Sequence, residues 1–222
     1  MPNGHAAAHH EALQHHFDSL QQQKDASTFG MWVFLVTEVL FFGGLFMAYI
    51  LYRTWYPDVW LAASHHLDVT LGAFNTAVLI LSSLTMALAV HAAQTGNKNG
   101  TALFLVLTMV LGVVFLGVKV VEYSDKFTHH LVPGPTFQFD APYQRTAQIF
   151  FSIYFAMTGM HALHMVIGEG IMLYLLVGAL KGRFSAAYYT PVEIGGLYWH
   201  FVDIIWIFLF PLLYLAGRHH LL

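Results

Sequence analysis

The chain has 222 residues, of which 57% are hydrophobic, 16% aromatic and only 9% charged; a soluble domain carries about 25% charge, so a water-soluble globule and a disordered chain are both excluded. The absence of cysteine removes disulfide, iron–sulfur, thiolate-nucleophile and zinc–thiolate chemistry. A net charge of -3 with nine Lys and Arg excludes the basic footprint of a nucleic-acid binder, and leaves an all-α, polytopic membrane protein.

Residues 1–27 read as a polar N-terminal tail rich in histidine, with His5, His9, His10, His15 and His16 ahead of Gln21, Gln22, Gln23, Lys24 and Asp25. The tail lacks the apolar core of a cleavable signal peptide, and its histidines read as solvated rather than metal-binding. Residues 28–222 read as one bundle. A span needs about 20 mostly apolar residues, and five stretches qualify: 28–52, 68–93, 101–123, 147–180 and 192–216. The fourth exceeds what a bilayer needs, so it tilts or projects. Turn residues separate them: Pro57 with His65 and His66, then Gly96 to Gly100, then Pro133, Gly134, Pro135 and Pro142, then Lys181, Gly182 and Arg183. Five spans put the termini on opposite sides. Lys24, Lys98, Lys181 and Arg183 face Arg53, Lys126, Arg145 and Arg218, so the positive-inside rule does not orient the chain. No internal repeat is visible.

Ionisable groups at membrane depth are expensive unless paired or hydrated. The first span holds Glu38, which has no cation nearby in sequence. It reads either as a proton-relay carboxylate or as a structural carboxyl at a helix contact. The third span holds Lys119 and Glu122, three apart and able to pair on one face. The fourth holds His161, His164 and Glu169; the fifth holds His200 and Asp203, with Glu193 near its start. Helical spacing gathers these into stripes: Gly112, Phe115, Lys119, Glu122; Tyr154, Met157, His161, His164, Gly168; and Glu193, Gly196, His200, Asp203. Asn75 and Ser82 share a face of the second span. Each stripe must face protein or water.

A bis-histidine haem would need His161 or His164 together with His200. The blander reading is interhelical hydrogen bonding, in which His161, His164, His200 and Asp203 tie the fourth and fifth spans together. No catalytic metal site is expected: His161 and His164 lack the spacing and the glutamate of a metal hydrolase. No serine-hydrolase elbow occurs either. Trp199 and Trp206 read as anchors for packing or for a lipid interface. A concave face between the first two spans and the rest is expected to hold lipid tails.

Five motifs, one per span, resemble a known family. Gly30, Trp32, Phe34, Leu35 and Thr37 to Phe42 resemble the opening of the core bundle in subunit III of haem–copper oxidases. Phe74-Asn75-Thr76 with Ser82, Ser83 and Thr85, and Leu111-Gly112 with Phe115, Leu116, Lys119, Glu122 and Tyr123, are similar to the same family. Thr158-Gly159, His161, His164 and Gly168 resemble it more closely, and Tyr198-Trp199-His200-Phe201-Val202-Asp203 with Trp206 most closely. The likeness covers about 27–215 and fits the five-span bacterial form, which lacks the first two helices of seven-span members.

The resemblance implies a subunit with no redox centre of its own, bound to catalytic subunit I and to subunit II, which hold the haem and copper. It implies a non-catalytic role in a proton-pumping terminal oxidase, of the aa3 cytochrome c type: stabilising subunit I, holding phospholipids and supporting proton uptake. Glu38 matches the family's buried reactive carboxylate. Lys181 and Arg183 fall where the family places lipid-headgroup contacts, with Trp199 as a further lipid residue. A bacterial plasma membrane and a cytoplasmic N-terminus are expected. Subunit III of a quinol oxidase, or a relative accompanying nitric oxide reductase, fits the same motifs. A stand-alone haem protein, or a transporter using Glu38 and Asp203, is the alternative from outside the family.

Overall fold

The computed structural model describes residues 13–139 and 142–215. Over these residues the chain forms α1 (Leu20–Trp55), α2 (Pro57–Ser64), α3 (Val69–Gln94), α4 (Lys98–Thr128), α5 (Gln144–Leu180) and α6 (Thr190–Phe210). A π-helical turn, Pro211–Leu215, closes the last helix. There is no strand among the described residues, only one isolated bridge between Ser185 and Tyr188. Five of the helices are long and apolar enough to cross a bilayer, and the chain is an all-α, multi-pass membrane protein.

Local chemistry sets the helix boundaries. Ser19 caps α1 by accepting from the Gln22 amide at 3.1 Å. Gln21 then donates to Asp25 at 2.8 Å, one turn on. The helix therefore begins inside the segment read as tail, and the boundary at residue 27 is not a structural one. His5, His9 and His10 lie outside the described residues. Pro57 stops α1 and then opens α2, because a proline lacks only an amide that the first turn leaves unpaired anyway. Asp68 caps α3 through Thr70 and Leu71 at 2.8 and 3.1 Å, and Asn97 caps α4 through Gly100 at 2.9 Å. Gly96 at φ 71° makes the tight reversal between those helices.

Packing follows from this connectivity. The short reversal folds α3 and α4 into a hairpin with the most extensive interface in the chain. α5 and α6 complete a four-helix core with them. Its interior is aromatic, with Trp199, Trp206, Tyr154, Tyr214, Phe115 and Phe150 among the fully buried side chains. α1 lies against α5 and α6, braced at one end by α2. Large apolar residues such as Leu40, Val120, Tyr174 and Phe208 face outward, as lipid contact allows but water does not.

The expected concave face takes a different form. α1 and α3 do not make a common wall against the rest, because α3 belongs to the core hairpin. They stand on either side of α6, which forms a floor between two grooves, and Ile204 lines both.

Candidate functional site

Glu38 and His164 meet near the middle of α1 and α5. Glu38 Oε2 lies 3.1 Å from His164 Nε2, with the two side chains 18% and 11% exposed. His164 Nδ1 lies 2.8 Å from the Met160 carbonyl oxygen. That oxygen can only accept, so Nδ1 carries a hydrogen. The proton count of the contact follows. A neutral His164 presents a lone pair at Nε2, and Glu38 must then be the protonated donor. A charged His164 donates from Nε2, and Glu38 is then a carboxylate. In either arrangement the contact is a single hydrogen bond between Nε2 and Oε2. Phe42 packs edge-on against the imidazole with centroids 5.2 Å apart, and Tyr198 donates to the His164 carbonyl at 3.0 Å.

A second carboxylate sits in the core. Glu122 Oε2 accepts from Lys119 Nζ at 2.8 Å, and its Oε1 accepts from the Tyr154 and Tyr214 hydroxyls at 2.8 and 2.6 Å. Lys119 also donates to Tyr214 at 3.0 Å and lies over the Trp206 ring at 5.1 Å. The pair is 3% and 1% exposed. The helical spacing brings Lys119 and Glu122 together as expected. The tyrosines, from α5 and the closing turn, are what make the pair a knot between helices.

The remaining polar residues do not tie α5 to α6 as expected. His164 reaches α1. His200 Nδ1 pairs with Ser83 Oγ of α3 at 2.8 Å. His161 is buried between Phe115 and Trp206, each 5.3 Å away, with no hydrogen bond at either nitrogen. Asp203 is buried beside Ser83 without a well-formed hydrogen bond. Residues three apart on a helix point about 60° apart, enough to aim at different neighbours. The α5–α6 tie is instead the Tyr198 phenol on the His164 carbonyl. Among the described residues no three His, Asp or Glu side chains are placed to hold a metal ion.

Trp199 is a correction. It lies wholly inside the bundle, donates from Nε1 to Ser82 Oγ at 2.8 Å, and packs its ring on Gly168 and Gly112. It has no lipid face. Lys181 and Arg183 are exposed in the turn that follows α5. Glu169, to which the sequence assigned no role, has both oxygens buried without a partner against the bare backbone of Gly112.

The profile of the family described as cytochrome c oxidase subunit III matches residues 9–218. The chain belongs to that family. Curated subunit 3 proteins agree: one from Thermostichus vulcanus is 33% identical over 202 residues, 90% of this chain and 92% of its own length. One from Papio hamadryas is 32% identical over 212 residues, 91% of this chain and 73% of its own. One from Petromyzon marinus is 30% identical over 214 residues, 92% and 74%. In this chain the motif residues Asn75, Lys119, Glu122, His161, His164 and Asp203 are all buried among the helices. The Glu38 contact, made across 126 positions, joins the first helix to the core.

Proposed function

We propose that the chain is the non-catalytic subunit III of an aa3-type cytochrome c oxidase. It packs beside catalytic subunit I in a bacterial plasma membrane with its N-terminus in the cytoplasm. Haem and copper belong to the partner subunits I and II. Cytochrome c as donor is favoured over quinol by the names of the relatives, which are cytochrome c oxidase subunits. The subunit stabilises subunit I, holds phospholipids and supports proton uptake.

The observation that carries the reading is the 3.1 Å contact of Glu38 with His164, which one shared proton would make a hydrogen bond. Passing the proton from one partner to the other leaves the net charge at zero. That avoids the cost of a lone ion at membrane depth. The contact is well suited to keeping protonation balanced beside a proton-consuming partner, and it contains nothing that could reduce oxygen. Of the other intramembrane groups, Lys119, Glu122 and His200 tie the helices around it by hydrogen bonds, and His161 and Asp203 are packed among them.

The test is turnover-dependent inactivation of the intact oxidase. Glu38→Ala is expected to leave the initial rate near that of the wild type and to shorten the active lifetime. Total loss of activity at the first turnover overturns the supporting role.

A further inference from the structure

Three polar side chains lie among apolar ones in the groove between α3 and α6. Ile80 and Leu84 of α3 form one wall, and Ile204 and Ile207 of α6 form the other; all four are exposed. Between them are Ser83, His200 and Asp203. His200 Nδ1 meets Ser83 Oγ at 2.8 Å, and its Nε2 has no hydrogen-bond partner among the described residues. Asp203 stands beside Ser83 at 2% exposure, with neither oxygen in a well-formed hydrogen bond among those residues. His200 is about ten residues into α6, roughly 15 Å along it at ~1.5 Å per residue. That is near the middle of a hydrocarbon core ~30 Å thick, out of reach of water and headgroups. Ser83 and Ala87 are small residues one turn apart on the α3 wall, and small residues let another helix come close.

An Asp203 carboxylate facing a neutral His200 is a lone charge at membrane depth, which is expensive. Two arrangements avoid it. In one, His200 is the cation: Nδ1 donates to Ser83 Oγ, the Ser83 hydroxyl donates to the Asp203 carboxylate, and Nε2 carries a hydrogen. In the other, a protonated Asp203 donates to Ser83 Oγ, the Ser83 hydroxyl donates to the Nδ1 lone pair, and the neutral ring keeps its hydrogen at Nε2. A protonated Asp203 turned away from Ser83 buries a donor without an acceptor, at a cost. Both arrangements therefore leave an unpaired N–H at His200 Nε2. We infer that the α3–α6 groove is the seat of one transmembrane helix of a partner subunit, which brings an acceptor side chain (Asn, Gln, Ser, Thr or a carboxylate) to His200 Nε2. The inference rests on the reading that the chain packs beside a partner in an oxidase, and gives that contact a face and a recognising atom. Lipid offers Nε2 nothing at this depth, because acyl chains keep their ester oxygens at the interface. A second copy of the chain docked two-fold on the same groove sets one N–H donor against another.

The experiment is photo-crosslinking of the intact oxidase in its native membrane, with benzoylphenylalanine in place of Ile80, of Ile204 or, on α4, of the exposed Val113. Adducts from Ile80 and Ile204 are expected on one partner helix, within a turn of an acceptor side chain, as located by peptide mass spectrometry. None to that helix is expected from Val113. Leu84→Trp fills the groove from an exposed position and is expected to lower retention of the partner in mild detergent about tenfold, while Val113→Trp leaves it unchanged. His200→Phe is expected to match Leu84→Trp. His200→Gln keeps an N–H near the Nε2 position and is expected to recover most of the loss. Lipid adducts alone at Ile80 and Ile204, adducts to a second copy of the chain, or a captured helix with no acceptor side chain near the adduct overturns the seat. So does a Leu84→Trp variant retained as well as Val113→Trp, or a His200→Gln variant no better than His200→Phe. If His200→Phe does not assemble, the crosslinks and Leu84→Trp decide. A partner captured from Val113 and not from the groove overturns the seat while leaving the chain an oxidase subunit, so the two readings fail separately.

Discussion

Glu38 and Glu122 are both carboxylates inside the membrane, each about one hydrogen bond from a basic nitrogen, at 3.1 and 2.8 Å. Their surroundings differ. Glu122 takes hydrogen bonds from Lys119, Tyr154 and Tyr214, and is 1% exposed. Among the described residues Glu38 has one hydrogen-bond partner, His164, on a helix that touches the core along one side. In a medium of low dielectric, a carboxylate with a full set of fixed donors is a lock, because moving its proton strands the others. A carboxyl sharing one proton with one imidazole is free to exchange it. The same side chain is therefore a rivet in the α4–α5–α6 core, and under the proposed function it is a proton holder at the α1 contact.

The most severe test of that contrast is Glu122→Ala. It leaves the Lys119 ammonium buried with only hydroxyl partners, and breaking a buried pair this way costs about 3–5 kcal/mol. Thermal inactivation and assembly yield of the oxidase read it. Replacing both Lys119 and Glu122 with leucine is expected to recover much of the loss, since an apolar pair removes the stranded charge. If Glu122→Ala is no worse than Glu38→Ala, the two carboxylates are equivalent and the contrast is gone.

Gly112→Ala comes next. Its new methyl would strike Glu169 Oε1 and sit 2.8 Å from the Trp199 ring, which has no room to retreat between Gly168 and Ser82. Overpacking of this kind costs about 1–3 kcal/mol. Gly43→Ala on the α1 wall meets nothing, and no loss of thermal midpoint is expected from it. Equal losses at the two positions would mean that α1 is packed as tightly as the core.

What the sequence makes legible follows the same division. Lys119 and Glu122 are neighbours on one helix, so spacing alone pairs them. Tyr154 stood on a polar stripe in the right phase, but Tyr214 comes from a π-helical turn that no periodicity announces. Glu38 looked partnerless because its partner is 126 positions away, and only the docking of α1 on α5 brings them together. The five long helices were plain from apolar length. α2, with eight residues behind a proline, was hidden in a separator. The stripes on α4 and α5 are buried while Glu193 and His200 on α6 are only partly so, and stripe membership does not say which neighbour a side chain meets. That is why His161, His164 and His200 end in three different places, and why Trp199 was offered to lipid while lying in the core.

Glu38→Ala should weaken the fold far less than it shortens working lifetime. One interhelical hydrogen bond in a membrane averages about 0.6 kcal/mol, so the thermal midpoint of the resting complex is expected to move only slightly. A drop approaching that of Glu122→Ala would make Glu38 a rivet as well, and its shared proton an incidental feature.

The smallest effect is expected where α1 is pinned at its first turns. Lys24 Nζ lies 3.1 Å from Glu193 Oε2 and donates to the Tyr189 hydroxyl at 2.8 Å. The Lys24 and Glu193 side chains are 28% and 29% exposed. Water and salt therefore screen the pair, and such bridges contribute about 0.2–1 kcal/mol. Glu193 also sits in the first turn of α6, where the helix dipole already favours a negative charge. Losing Lys24 leaves Glu193 Oε2 without its cation, but the Glu193 side chain as a whole stays 29% exposed. Lys24→Ala is expected to lower the thermal midpoint slightly at low ionic strength and not at all in ~1 M salt, where screening lengths shrink to about 3 Å. A larger, salt-independent loss would mean that α1 is held to the core chiefly by this clamp rather than by its apolar face against α5 and α6. Motion of α1 would then open the Glu38–His164 contact from its Lys24 end.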